Sequence, residues 1–193
     1  MGGTVAACTT ALTSNVVLIT HCHTDHAMAI FSHARAREIA YNKPTTYLVP
    51  SGAIDALTRM KDIVKELDRG NDKPGEAIDA IVFVPCDVND EINVTNLVKK
   101  NKSKGSNESD EGVFVQCFPV KHIDNDSLGR PLSLGYVVST RSRTPGLLPQ
   151  YKSLSKTEIK ALRTNNVPLT NPALHSHALV AYSGDTCATG LIR

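Results

Sequence analysis

Four side chains able to bind a metal ion, His21, His23, Asp25 and His26, fall within the stretch Thr20-His21-Cys22-His23-Thr24-Asp25-His26. The stretch follows Val16-Val17-Leu18-Ile19, a short β-branched run bounded by polar residues, which reads as a buried strand. The cluster therefore stands where a strand ends and the chain turns into Ala27-Met28-Ala29-Ile30-Phe31, the expected start of a helix. Side chains can converge on one point at the C-terminal end of a strand. Imidazole nitrogen and carboxylate oxygen gathered there suit zinc, with iron or manganese as other candidates. A lone histidine is more often a packed or surface residue than a ligand. Histidines and an aspartate in H-x-H-x-D-H spacing, directly after an apolar strand, point instead to metal chemistry.

Two later stretches repeat the arrangement. Val113-Phe114-Val115-Gln116-Cys117-Phe118-Pro119-Val120 is an apolar strand that runs out into Lys121-His122. Ala178-Leu179-Val180-Ala181-Tyr182 is another, followed by Ser183-Gly184-Asp185-Thr186. Each is weak alone, because a His or Asp after a strand is common. Together with the first cluster they make three strand ends carrying ligand-type side chains.

The H-x-H-x-D-H pattern resembles the signature of the metallo-β-lactamase superfamily. That resemblance implies an α/β fold, an αββα sandwich holding two metals. His122, Leu134-Gly135-Tyr136-Val137-Val138 and Ala181-Tyr182-Ser183-Gly184-Asp185-Thr186 are similar, in order and wording, to blocks of ribonuclease Z, the tRNA 3′-processing endonuclease. Leu148 to Tyr151, Leu154 to Leu162 and Val167-Pro168-Leu169-Thr170 are similar to the short form of that family.

Carried onto this chain, the resemblance implies that His21, His23 and His122 hold one zinc ion. Asp25 and His26 would hold a second, with Asp185 bridging the two. The ions would share a hydroxide that attacks the phosphorus in line, and Asp25 would orient it and handle its proton. Cleavage would leave a 3′-hydroxyl on the tRNA body and a 5′-phosphate on the trailer. Precursor tRNA is then the expected partner, and a homodimer the expected assembly.

Against the family pattern the sandwich is expected to be incomplete. Its N-terminal strands and a C-terminal segment are missing, and with the latter the last His of the second metal's shell. His175 and His177 precede Asp185, on the wrong side to replace it, and read as loop residues. Two other functions stay open: an inactive relative that binds RNA or a partner, or a hydrolase of the same fold acting on a small phosphodiester or thioester.

The elements that must position these residues follow from apolar spacing. Ala27, Ile30, Phe31, Ala34 and Ile39 mark a helix over 27–41, with His33 at its surface or boundary. Thr46-Tyr47-Leu48-Val49 is a strand. Ile54, Leu57, Met60, Ile63, Val64 and Leu67 mark an amphipathic helix that stops near Gly70. Ile81-Val82-Phe83-Val84 is a further strand, with a short one near Ile92 and Val94. Residues 97–112 read as a mobile surface loop, their lysine run balanced by an acidic half. Ser155 and Glu158 form a capping box that opens a short helix.

At 193 residues the chain is expected to be a single domain, with a core built from aliphatic side chains because aromatics make up only 5%. A hydrophobic fraction of 41% and a mean hydropathy of −0.16 are those of a globular protein, and a net charge of +2 does not by itself argue for nucleic acid. The five cysteines are scattered without a C-x-x-C pair, so neither a disulfide framework nor a cysteine zinc site is indicated. Cys22 lies between two ligands, and strand alternation turns its side chain away from theirs. No leader and no membrane-spanning stretch is legible, which makes an intracellular location the expectation.

Overall fold

The structure is a computed structural model that describes residues 13–41, 44–67, 76–100, 110–143, 147–169 and 174–185. Strands β1 (Val16–Leu18), β2 (Thr46–Pro50) and β3 (Val82–Cys86) form a parallel sheet in that order. Val17 stands opposite Tyr47, and Tyr47 opposite Phe83. A second, antiparallel sheet has the order β4 (Glu91–Asn93), β5 (Gly112–Pro119), β6 (Leu134–Arg143) and β7 (Leu174–Tyr182). The helices are α1 (Thr24–Ala27), α2 (Ala29–Tyr41), α3 (Ile54–Leu67), α4 (Glu76–Asp79), α5 (Val94–Lys100) and α6 (Lys156–Thr164). The chain is thus mixed α/β. Among the described residues no helix is long and apolar enough to cross a membrane.

The described residues fall into two compact units. One takes the chain up to Ile92, Val115–Val137 and the residues from Ala181 on; the other takes Asn93–Phe114 and Val138–Val180. In the first unit β2 is buried along its whole length, as the central strand of a parallel sheet must be. Ile30, Phe31 and Ala34 of α2, Leu57 of α3 and Ile78 of α4 pack with Ile19, Tyr47 and Val49 into one core. Each such fully buried aliphatic side chain is worth about 1.5–3 kcal/mol relative to exposure.

Polar pairs complete that core. Tyr47 Oη donates to the Ile30 carbonyl at 3.2 Å and accepts from His33 Nδ1 at 2.7 Å. The expectation that His33 sits at the surface or boundary is therefore corrected: its ring is buried on the face of α2 turned to β2. Arg37, one turn on, is buried too and donates to Asn15 Oδ1. These two polar residues occupy the inward face, and Ile39, assigned there from its spacing, is exposed. The stripe of α3 holds at Leu57, whereas Ile63 and Leu67 at its far end are exposed.

The second unit has its own local joints. Thr95 Oγ1 accepts from the Val113 amide at 2.8 Å, and the guanidinium of Arg141 lies 4.2 Å from the centre of the Phe114 ring. Helix α6 begins with the expected capping box: Ser155 accepts from the Glu158 amide, and Glu158 accepts from the Ser155 amide at 2.8 Å. Residues 97–100, expected as the start of a loop, belong to α5. Of the rest of that expectation, 101–109 lie outside the described residues and Gly112 already belongs to β5. His175 and His177, expected in a loop, are exposed positions on β7.

Candidate metal centre

Every residue assigned to the site lies in the first unit. β1 hands the chain to the site through Ile19, whose amide donates to the Leu48 carbonyl at 2.9 Å. Tyr136 Oη, fully buried, donates to the Ile19 carbonyl at 2.7 Å. The Leu134 amide donates to the Thr20 carbonyl at 2.8 Å, and His21 pairs with Ser133 in an isolated antiparallel bridge. Backbone bonds from both sides thus pin the last residues before the motif.

His23 occupies the N-cap of α1, and its carbonyl accepts from the amides of His26 and Ala27. Its imidazole makes no capping hydrogen bond and is left for the cluster. The tight turn that follows brings His26 back beside His21. Ser133 does a second job: its hydroxyl accepts from the Ile123 amide and lies 3.3 Å from the Ile123 carbonyl. That holds the bend carrying His122 against the bridge.

The result is three imidazoles around that of His21. Ring centres of His23, His26 and His122 lie 4.9, 4.6 and 4.5 Å from that of His21, and His23 and His122 are 5.1 Å apart. Ligand atoms of His21, His23 and His122 all fall within 4.8 Å of one another. Those of His21, His26 and Asp185 do the same. His21 is therefore common to both groups, whereas the resemblance assigns the shared position to Asp185. Asp25, exposed in the first turn of α1, belongs to neither group; its carboxylate stands 3.3 Å from His26 Nε2. Asp185 Oδ2 is 3.5 Å from His26 Nε2 and 3.9 Å from His21 Nε2.

His21 fits a metal ligand on its own evidence. Its ring is only 3% exposed, yet among the described residues Nε2 has no hydrogen-bond partner, an orphaned buried acceptor that costs free energy unless something fills it. Thr20 Oγ1 lies 3.1 Å from Nδ1. With the proton on Nδ1 shared with that hydroxyl, the Nε2 lone pair faces the cluster, the orientation outer partners impose on ligating histidines. Burial, and then the neighbouring His122, His26 and His23, hold the His21 pKa below its ordinary value, with Asp185 opposing. The neutral ring is the form that binds metal. Five residues thus make two overlapping groups of three N/O donors that could hold a metal ion.

Gly184 makes Asp185 part of this. Its φ is +64°, and a Cβ there would stand 2.5 Å from Thr20 Oγ1. Only glycine lets the backbone after β7 approach Thr20 so closely in that conformation. Cys22, by contrast, packs against the core, and burial pushes its thiol up to about 11. Among the described residues it joins neither donor group.

Thr20, Ser133 and the conformation of Gly184 were not marked by the motif. Their roles come from tertiary contacts with residues far along the chain, and only the strand–Gly–Asp wording hinted at one of them. No protein-family profile matches the chain, and no curated protein matches it significantly.

Proposed function

We propose that the chain is a zinc-dependent endoribonuclease of the ribonuclease Z type, built on a metallo-β-lactamase-like sandwich, that removes the 3′ trailer from precursor tRNA. The observation that supports this reading is the pair of donor groups sharing His21, assembled where three strand ends meet. His21, His23 and His122 would hold one zinc ion; His26 and Asp185, with Asp25, would hold the other. When bound, such a pair supplies Lewis acidity toward a phosphodiester and activates water as a nucleophile at neutral pH.

The chain's own residues do the rest. His21 anchors the site from the core, its tautomer set by Thr20. Asp25 is exposed beside His26 and is the base that takes the proton from the attacking water. Return of that proton to the departing ribose 3′-oxygen then leaves a 3′-hydroxyl on the tRNA body and a 5′-phosphate on the trailer.

The test is cleavage of a precursor tRNA carrying a 3′ trailer by the zinc-loaded chain. The expected products are a mature 3′ end and a 5′-phosphorylated trailer, with His23→Ala lowering the rate by more than about a hundredfold. An uncut precursor, or unchanged turnover in His23→Ala, would contradict the reading. One observation favours a second reading, an inactive relative that binds without cleaving: Asp25 stands outside both donor groups. Stoichiometric zinc and RNA binding with no turnover would select it.

A further inference from the structure

The charges of this chain are unevenly placed. Val138–Val180, which belongs to the second unit, carries six Lys and Arg residues and a single acidic one, Glu158. Outside the second unit the balance reverses, with eleven basic residues against fifteen acidic ones. A net charge of +2 therefore conceals a strongly basic segment.

Helix α6 gives that segment a shape. Lys156, Lys160 and Arg163 recur at i, i+4 and i+7, so they share one face; all three are exposed, as is Lys152 in the preceding turn. Lys156 and Lys160 are offset by about 6 Å along the axis, roughly the repeat of phosphates along a nucleic-acid strand. The flanking face, at Ile159 and Leu162, is half-buried. Among the described residues none of the four cations enters an ion pair. Glu158 is the acid that could neutralise them, and it is engaged by the Ser155 amide and hydroxyl. A solvated helix face usually intersperses both signs; this one does not.

We infer that the face of α6 formed by Lys156, Lys160 and Arg163, with Lys152, is a contact surface for the phosphate backbone of RNA. The inference rests on the nuclease reading for its choice of polyanion. It adds that the second unit grips substrate through backbone charge, without reading sequence.

The test is binding of the full chain to a fluorescent tRNA with no trailer, in chelator, between about 50 and 200 mM salt. The variant Lys156→Gln/Lys160→Gln/Arg163→Gln keeps helix propensity, and circular dichroism checks its fold. It is expected to weaken binding at least about tenfold and to reduce the slope of log affinity against log salt by about 2. Arg59→Gln, an exposed cation on α3, should leave affinity within about twofold. Unchanged affinity and slope in the triple variant, or no measurable binding by the wild type, would overturn the inference. So would unchanged RNA affinity accompanied by lost binding to vesicles of anionic lipid. If the triple variant loses RNA binding while the zinc-loaded wild type leaves precursor tRNA uncut, the surface stands and the nuclease reading falls.

Discussion

His21 is the most buried member of the cluster, and three other imidazoles crowd it. A protonated ring there would sit in apolar surroundings next to groups that acquire the same charge, so burial and neighbours both favour the neutral form. The Nε2 lone pair of His21 can bind only one ion, so His21→Ala should remove the ion held with His23 and His122, whereas His26→Ala should spare that ion and remove the other. Metal content of the two variants, each about one ion per chain below wild type, checks this; unchanged content in either would contradict the assignment. Gly184→Ala should lower zinc affinity about 10–100-fold, because its Cβ displaces Thr20 from His21. Competition with a chelating dye measures that, and unchanged affinity would contradict it. At this scale the ligand types were legible, since H-x-H-x-D-H after an apolar run is a local signal. Thr20 and Ser133 were not, because an ordinary hydroxyl acquires its role only from the side chain that folding brings beside it.

The elements carry the site by fastening the second sheet to the end of β1. Tyr136→Phe on β6 removes the donor to the buried Ile19 carbonyl and should cost about 1–3 kcal/mol, read as a lower urea midpoint. An unchanged midpoint would mean that the bond contributes nothing. Helix α6 makes a pH-dependent contribution. Hydrogen bonds from the Ser155 side chain, then its amide, hold the Glu158 pKa below the ordinary 4.5. A depressed carboxylate stabilises the folded state above its unfolded pKa and loses that effect as pH falls through the folded one. The stability difference between wild type and Glu158→Gln should therefore be present at neutral pH and vanish in strong acid. A pH-independent difference would contradict the box.

Element positions followed from periodicity where the pattern was strong: β2, the first turns of α3 and the capping box all stand where their spacing puts them. The failures are instructive. In α2 apolar spacing assigned Ile39 inward, but His33 and Arg37 took the inward face because Tyr47 and Asn15 offered them partners. A buried polar pair leaves no mark in hydrophobic periodicity. β7 starts well before its apolar run, since its ladder is set by β6 and not by its own composition.

At the scale of the molecule, zinc and folding should be linked. Bringing four imidazoles together without metal leaves a buried nitrogen unsatisfied, and binding relieves that only in the folded state. Free zinc at about 100 times its dissociation constant should raise unfolding free energy by about 2.7 kcal/mol. The most direct test of the centre is the zinc content of the wild-type chain, measured by elemental mass spectrometry after loading and exhaustive dialysis. About two zinc ions per chain, falling to about one in His21→Ala, is the result expected of the proposed pair of metal sites. A wild-type chain that retains no zinc, or a His21→Ala variant that retains as much as wild type, would contradict the metal centre.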